Sequence, residues 1–373
     1  MTGKDNKWQK HVRPVSGHHK MAGLVKALEK LARKLKPGAR LPRMRELAEA
    51  LGVTLATLDQ GLTQLERRGL LDRRPRSGVF VTARVEQKTV GMVIGWNIFS
   101  AGDDAAFYSL LLEGCARVAQ VRGRRFSWFL DYLPREQVED KKPSVAPVHQ
   151  DLVDALADGR LDGLLLASPN GPYQEKWLRG QGVPLVCLSP GRDEGIVIDT
   201  DATVRIALEE FTRQGVRKIG FICPLPIHTE LFRRAAKDFN LSIEEAWLSE
   251  RGHLPEGTRY DLEGRACAQQ LLERAKAAPK RGLPEALIIT DDVLTRGACG
   301  YFAENGVKIG TQLKVISQSN KGSPVLGPWL GQVTRCEFDP QEIATALFTR
   351  LESLMAGEKP EKRVVIRPTL WSL

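Results

Sequence analysis

From Thr89 onward, short apolar segments alternate with longer segments in which apolar residues recur at helical spacing. Buried strands separated by helices are typical of parallel sheets, because two parallel strands need a long crossover connection. This part of the chain is therefore predicted to be α/β, with parallel sheets flanked by helices. The predicted strands cover 90–94, 125–130, 162–166, 183–188, 218–223, 285–290 and 313–316, and the predicted helices cover 105–122, 151–157, 202–214 and 295–305.

The first quarter of the chain has a different pattern. A face of regularly spaced leucines predicts a helix that ends at Lys36-Pro37-Gly38, and a second helix covers 44–51. A third is predicted to begin after Thr54, whose hydroxyl can cap it, and to end at Gly69. Two strands, 70–74 and 79–81, then flank the turn Pro75-Arg76-Ser77-Gly78. Three helices followed by a hairpin predict a winged helix-turn-helix.

Positive charge is concentrated in the same region. Residues 1–84 contain 19 Lys and Arg against 7 Asp and Glu, a net charge of +12, whereas the rest of the chain has a net charge of −2. A basic module joined to a nearly neutral one is typical of proteins that bind a polyanion such as DNA. A merely soluble basic tail is the alternative that charge alone leaves open.

Four sequence blocks of the first domain resemble the DNA-binding domain of GntR-family regulators. They are Leu41-Pro42-Arg43-Met44-Arg45-Glu46-Leu47-Ala48, Leu51-Gly52-Val53-Thr54, Leu65-Glu66-Arg67-Arg68-Gly69-Leu70-Leu71 and Ser77-Gly78-Val79-Phe80-Val81. The resemblance implies a transcriptional regulator that binds double-stranded DNA. It departs from the family in the third helix, where Leu55 and Asp59 stand at or near positions that usually carry arginine.

The candidate DNA-binding residues fall into two groups. Thr54, Thr57 and Gln60 lie on the polar face of the third helix, and we expect them to contact base edges in the major groove. We expect the basic residues and the wing turn to contact phosphates or the minor groove, and so to supply salt-dependent affinity. This second group comprises Arg43, Arg45, Arg67, Arg73, Arg74, Arg76, Ser77 and Gly78.

The remaining three quarters resemble the ligand-binding domain of LacI-family repressors, which is similar to periplasmic sugar-binding proteins. The segments that carry the resemblance include Leu161-Asp162-Gly163-Leu164-Leu165-Leu166, Ile198-Asp199-Thr200-Asp201 and Ala286-Leu287-Ile288-Ile289-Thr290-Asp291-Asp292. The resemblance implies two lobes around a ligand cleft. The expected organisation is a basic flexible segment (1–18), the winged helix-turn-helix (19–84), a linker (85–88) and the LacI-like domain (89–373), with lobes formed by 89–197 with 325–337 and by 198–320 with 338–373.

The LacI resemblance also implies residues that bind an effector. These are Phe107, an arginine at Arg233 or Arg234, and Asp291 or Asp292, a set that suits a carbohydrate because rings stack on aromatics and hydroxyls bind carboxylates and guanidinium. Asp291 and Asp292 could equally cap the following helix. The family usually has asparagine at Asp291, so the alternative of a regulator that binds no small molecule, and is constitutive or controlled by a protein partner, stays open.

Other function classes find little support in the sequence. We find no GxSxG, P-loop, GxGxxG or HExxH motif and no His or Cys pair at metal-ligand spacing, so we expect neither an enzyme nor a metal or cofactor site. No apolar run is long enough to span a bilayer, and the six scattered cysteines are expected to be buried reduced thiols, as in a cytoplasmic protein. We expect the protein to be a repressor that binds a two-fold symmetric operator as a homodimer.

Overall fold

The computed structural model describes residues 8, 12, 14, 20–94, 105–130, 148–167, 172–188, 195–241, 243–250, 252, 259–359 and 363–371. Its internal contacts divide the chain into two units. The first consists of Met1–Gly95 with Ala119–Leu185, and the second of Trp96–Val118 with Val186–Leu373.

The first unit begins with the predicted winged helix-turn-helix. Its leucines form a closed core in which Leu24, Leu28 and Leu31 of the first helix are fully buried. Trp8 and Val12, from the segment expected to be flexible, pack against this core. The elements are α1 (Lys20–Lys34), α2 (Met44–Leu51), α3 (Leu55–Arg67), β1 (Leu71–Arg74) and β2 (Gly78–Val81).

Close packing of α1 on α3 depends on a glycine. A Cβ atom at Gly61 would lie 3.0 to 3.2 Å from side-chain carbons of Leu24 and Leu28, which is tighter than ordinary contact. A short 3-10 helix, Ala83–Glu86, follows β2, and its Val85 is buried in the same core. The first residue of the predicted linker therefore belongs to the winged helix-turn-helix.

The rest of the chain alternates strands and helices as predicted. In chain order these elements are β3 (Thr89–Ile94), α4 (Ala106–Val121), β4 (Arg125–Leu130), α5 (Gln150–Ala157), β5 (Gly163–Ala167), α6 (Pro172–Arg179), β6 (Leu185–Leu188), β7 (Ile196–Ile198), α7 (Thr200–Arg213), β8 (Ile219–Cys223), α8 (Pro226–Asp238), β9 (Leu248–Glu250), α9 (Tyr260–Ala277), β10 (Ala286–Ile289), α10 (Asp292–Glu304), β11 (Lys314–Asn320), β12 (Thr334–Phe338), α11 (Pro340–Met355), β13 (Val364–Ile366) and β14 (Thr369–Trp371).

Within the first unit, β3 pairs in parallel with β4 on one side and with β5 on the other. Every residue of β3 and β5 is buried, whereas the edge strand β4 is only partly covered. Continuous apolar strands such as β5 are typical of parallel sheets that are covered on both faces.

The second unit contains a six-stranded sheet in the order β14-β12-β11-β10-β8-β9, parallel except for β14. Successive residues of each strand point to opposite faces, so the sheet has two cores. Leu287 and Ile289 of β10 pack with α9 and α10, and Ile288 packs with α7 and α8. Helices on both faces leave the carboxyl ends of the parallel strands as an open edge.

Two C-terminal segments differ from the expected lobes. The segment 325–337 was expected with 89–197, but β12 pairs with β11 because its parallel register continues that sheet through Cys336. The segment 338–373 was expected with 198–320, and β14 does pair with β12. However, β13 pairs in parallel with β7, and α11 packs on both of these strands.

All six cysteines are buried thiols. Burial raises the pKa of Cys115 and of Cys299 to about 12, so both stay protonated and unreactive near neutral pH. Among the described residues, no helix is both long enough and apolar enough to cross a membrane.

Candidate DNA-binding surface and effector cavity

The recognition helix α3 begins with a side-chain cap. The hydroxyl of Thr54 accepts a hydrogen bond from the backbone N–H of Thr57 at 3.1 Å and lies 2.8 Å from the Thr57 hydroxyl. Gln60 is exposed one turn further on, and the first-turn residue Leu55 is 47% exposed. The start of α3 therefore presents short polar groups, an amide and one apolar side chain on its outer surface.

Asp59 does not stand alone on this helix. Its carboxylate accepts a hydrogen bond from the Arg73 guanidinium at 2.8 Å, and the same arginine donates to the Asp59 carbonyl and to Thr63 Oγ1. The pair neutralises the negative charge that made Asp59 unusual for a DNA-binding helix. Arg73, predicted as a phosphate contact, instead joins β1 to α3.

The wing is a tight hairpin whose tip carries positive charge. Arg74 stacks over the Phe80 ring at 4.5 Å and pairs with Asp72, while Ser77 donates its backbone N–H to the Arg74 carbonyl. Arg76 occupies the left-handed backbone region with φ 58°, which turns its side chain out at the tip. Arg40 packs against Gly78, whose φ of 115° is a backbone conformation that L side chains rarely adopt.

Arg43 and Arg45 flank the start of α2 and are exposed. Neither these two residues nor Arg76 forms an ion pair with any residue that the structure describes. Cations without carboxylate partners retain their full attraction for phosphate. The structure thus leaves Arg43, Arg45 and Arg76 available, whereas Arg73 and Arg74 already have acidic partners.

The second unit contains a cavity of about 320 Å³ at the carboxyl ends of β8, β10 and β11. This is the edge at which ligands bind in open parallel sheets, and the volume suits a small organic molecule. Phe107, Tyr108 and Tyr260 line it with aromatic rings. Its polar lining consists of His228, Thr290, Asp291, Asp292, Gln318 and Asn320.

The two aspartates of this cavity differ in role. Asp291 caps α10, because its Oδ1 accepts a hydrogen bond from the Leu294 backbone N–H at 2.8 Å. Asp292 is only 7% exposed, and burial raises the pKa of its carboxyl to about 6. The Ser323 hydroxyl lies 3.2 Å from Asp292 Oδ2. The capping role expected as an alternative is thus found for Asp291, while Asp292 is the buried acid.

Gln318 and His228 add polar groups that can form hydrogen bonds to a ligand. The Gln318 Oε1 atom is buried without a hydrogen-bond partner, which is costly unless a bound molecule supplies a donor. His228 Nδ1 lies 3.4 Å from the Thr290 hydroxyl, and burial lowers the pKa of its imidazole. A neutral imidazole and an unpaired amide oxygen suit an uncharged ligand that is rich in hydroxyl groups.

The structure places Arg233 and Arg234 outside this cavity, which corrects the expectation that one of them faces the ligand. Arg233 forms a two-point ion pair with Glu245, and Arg234 pairs with Asp201 at 3.0 Å. Both lie on the outer surface of α8, where these carboxylates hold them. Phe107, Asp291 and Asp292 are the expected effector residues that the structure does bring together.

Sequence reasoning missed six polar or aromatic residues of the cavity, namely Tyr108, His228, Tyr260, Thr290, Gln318 and Asn320. Gln318 and Asn320 could have been found, since they alternate directly after the predicted strand 313–316, which in the structure extends to Asn320, and carboxyl ends share one edge. No local signal places His228 or Tyr260 there, because each stands at the start of a helix that comes to the edge only through folding.

Comparisons with known families agree with this geometry. A family model described as bacterial regulatory proteins of the gntR family matches residues 26–81, and one described as a periplasmic binding protein-like domain matches residues 208–372. The chain therefore contains a GntR-type helix-turn-helix domain and a periplasmic-binding-protein-like domain, which confirms the predicted fold and domain types.

Three individual proteins illustrate the likeness. Over 231 residues the chain is 26% identical to the HTH-type transcriptional repressor PurR of Haemophilus influenzae, a match covering 58% of the chain and 65%, just under two thirds, of that relative. Over 61 residues it is 48% identical to the regulator YihL of Escherichia coli, covering 15% of the chain and 26% of the relative. The solved structure of the regulator CelR with cellobiose has a TM-score of 0.60 at 18% identity, covering 89% of this chain and 99% of that one.

Proposed function

We propose that the protein is a transcriptional repressor, acting in the cytoplasm, that binds a specific DNA operator through its winged helix-turn-helix and a neutral carbohydrate through the cavity of its second unit. The observation that carries the DNA-binding part is the exposure of Arg43, Arg45 and Arg76 in the same small domain as the capped helix α3. Both relatives described above are named as transcriptional regulators, which supports the same reading.

The division of labour on this surface follows from the contacts. Gln60 has no hydrogen bond to any residue that the structure describes, so its amide is free to pair with an adenine edge. Thr54 and Thr57 share a hydroxyl contact that fixes the first turn of α3. Arg43 and Arg45 supply charge alone and are expected to bind phosphates whatever the sequence.

Fluorescence anisotropy with labelled duplex DNA at several salt concentrations tests this proposal. For the double variant Arg43→Gln/Arg45→Gln we expect weaker binding to every duplex, and a slope of log affinity against log salt that is smaller by about 2. The matched control is Arg117→Gln/Arg367→Gln, which removes two exposed arginines outside the winged helix-turn-helix and should leave the slope unchanged. Equal slopes for all three proteins would contradict the proposal.

The carbohydrate part rests on the chemistry of the cavity. Three aromatic rings offer faces for stacking, and the polar groups are a buried acid, a neutral imidazole and two amides. No lysine or arginine lines the cavity within the described residues, so an anionic effector would lack a counter-charge there. The solved structure of CelR, a protein of similar fold, is a complex with cellobiose, which supports a sugar as the ligand.

A thermal-shift screen with monosaccharides and disaccharides tests the effector. A ligand at 100 times its dissociation constant should stabilise the protein by about 2.7 kcal/mol. Gln318→Leu removes the unpaired amide and should abolish the shift, whereas Gln312→Leu changes an exposed glutamine outside the cavity lining and should keep it. If no sugar shifts the parent protein, the alternative of a regulator without a small-molecule effector is favoured.

We also propose a homodimer, because one small DNA-binding module rarely buries enough surface for tight specific binding. Light scattering of the purified chain, alone and with an operator duplex, should give the mass of two subunits. A monomer in both samples would contradict this part of the proposal without affecting the other two.

A further inference from the structure

A second large cavity lies within the first unit and has a different chemistry. Its volume is about 530 Å³, and it is bounded by the last turn of α3, the edge strand β4 and the end of α5. Five arginines line it, whereas Asp158 is the single acidic residue in the lining that the structure describes. The five are Arg33, Arg67, Arg68, Arg125 and Arg160.

Three of these arginines already have carboxylate partners within the protein. Arg33 and Arg68 both pair with Glu29, and Arg68 also donates to the backbone carbonyls of Asp158 and Gly159. The Arg160 Nε atom lies 3.2 Å from the Asp158 carboxylate and forms an ion pair with it, although the contact does not have hydrogen-bond geometry. The roles of these three arginines are therefore largely structural.

Arg67 and Arg125 have no carboxylate partner among the described residues. Arg67 projects from the last turn of α3, and Arg125 donates only to the Arg68 carbonyl, at 3.4 Å. Burial, together with the charges of Arg84 and Arg68, lowers the pKa of the Arg125 guanidinium. Arg67 and Arg125 therefore contribute two positive charges that no carboxylate of the described residues balances.

Strand β4 forms one wall of the cavity beside these cations. Arg125, Ser127 and Phe129 alternate along β4, so all three side chains face the cavity, with a hydroxyl next to a guanidinium. Gln64 of α3 lies on the opposite wall. Guanidinium groups bind phosphate oxygens in a two-point geometry, and neighbouring hydroxyl and amide groups complete such sites.

This cavity is distinct from the DNA-binding surface. Arg67 stands twelve positions after Leu55 in α3, and a rise of 1.5 Å per residue separates the two ends of the helix by about 18 Å. The capped start of the helix carries Thr54 and Thr57, whereas the cavity is at its opposite end. We therefore expect an operator bound at the first turn to leave this cavity free for another ligand.

We propose that this cavity binds a small metabolite carrying two or more phosphate groups, held between Arg67 of α3 and Arg125 of β4. Such a ligand would tie the end of the recognition helix to the edge of the sheet, and so act on the DNA-binding domain independently of the carbohydrate cavity. Its size suits a sugar bisphosphate or a nucleotide.

Isothermal titration calorimetry on the full chain, with inorganic pyrophosphate and fructose 1,6-bisphosphate as probes in about 150 mM salt, tests this site. We expect saturable binding of one probe per chain, and a loss of affinity of at least about tenfold in Arg67→Gln/Arg125→Gln. Arg117→Gln/Arg367→Gln should bind as the parent does. Arg67→Gln alone, at an exposed side chain, serves as the second variant if the double variant does not fold.

The variant Arg43→Gln/Arg45→Gln separates this proposal from the proposed DNA binding. If it loses probe affinity while Arg67→Gln/Arg125→Gln keeps it, the probes bind the DNA surface and the arginine cavity is not a ligand site. Absence of saturable heat up to about 5 mM probe would likewise overturn the inference, while leaving operator binding untouched.

Discussion

At the scale of single residues, Asp292 is expected to make the stability of the second unit depend on pH. Burial raises the pKa of its carboxyl to about 6 from an ordinary value of 3.8. Between these values the unfolded chain loses the proton first, so the folded state binds more protons and the free energy of unfolding falls as pH rises. The Asp292→Asn variant has no carboxyl at this position, so its free energy of unfolding should not fall in this way. Relative to the parent, the free energy of unfolding of the variant should therefore rise by on the order of 2 to 3 kcal/mol from pH 4 to pH 6.

Urea unfolding of both proteins at several pH values measures that difference. The control is Asp339→Asn. Burial raises the pKa of the Asp339 carboxyl, but the hydrogen bond from Lys321 and the hydrogen bonds from nearby backbone N–H groups outweigh burial, so the pKa is below its usual value. A lowered pKa contributes stability that is complete above the unfolded value and is lost only at more acidic pH. The difference in free energy of unfolding between Asp339→Asn and the parent should thus be constant from pH 5 to 7. If the difference between Asp292→Asn and the parent were also constant, from pH 4 to 6, the prediction would be contradicted.

Single residues also show what the sequence could predict. The cap at Thr54 and the cap at Asp291 were predictable, because each follows from residue type and the start of a helical pattern. The pairing of Asp59 with Arg73 was not, since it joins a helix to a strand through a turn whose geometry no local pattern gives. Arg233 was placed in the cavity by resemblance, but Glu245 holds it elsewhere.

At the scale of elements, the packing of α9 on α10 depends on two glycines. A Cβ atom at Gly264 would overlap the Leu294 carbonyl, and one at Gly297 would overlap the Asp261 carbonyl. Because both obstacles are backbone, neither can rotate away, and the helices would have to separate. Gly297→Ala is therefore expected to destabilise the second unit by about 3 kcal/mol, at the upper end for an overpacked site.

Gly300→Ala on the same helix is the matched control. There the nearest atom to an added Cβ is Arg265 Nη1 at 3.6 Å, which is ordinary contact. Alanine should be neutral or stabilising by up to about 1 kcal/mol at that position. Thermal unfolding that ranks the two variants in the opposite order would show that the close approach of α9 and α10 does not limit stability.

The same pair of helices shows why some elements escaped prediction. The buried face of α9 is built from Gly264, Cys267, Ala268 and Ala275 as well as leucines, so its helical periodicity is weak in the sequence. The strands β3, β5, β8 and β10 were predicted because each is a continuous apolar run. In β12, by contrast, Arg335 and Glu337 pair with each other inside the strand and interrupt such a run.

At the scale of the whole molecule, the sequence predicted two domain types but not how the C-terminal segments are shared. The charge asymmetry and the change of periodicity at Thr89 mark the domains, since both are properties of long stretches. Strands β13 and β14 are separated by two residues yet pair with β7 and β12 respectively. No local pattern can assign neighbouring strands to different partners, because the choice is made by tertiary packing.

The distribution of charge predicts that the two proposed binding activities can be lost one at a time. Arg43→Gln/Arg45→Gln alters only the basic domain, so this variant should lose operator affinity and keep the thermal shift produced by an effector sugar. Asp292→Asn changes a buried acid in the nearly neutral domain, and should keep operator affinity without ligand but weaken the response of operator binding to the sugar. Fluorescence anisotropy with and without sugar measures operator affinity and its response to the sugar. A variant that carries all three substitutions should show the two losses additively. If Asp292→Asn alone abolished DNA binding in the absence of any sugar, the cavity would be part of the DNA-binding fold rather than a separate control site.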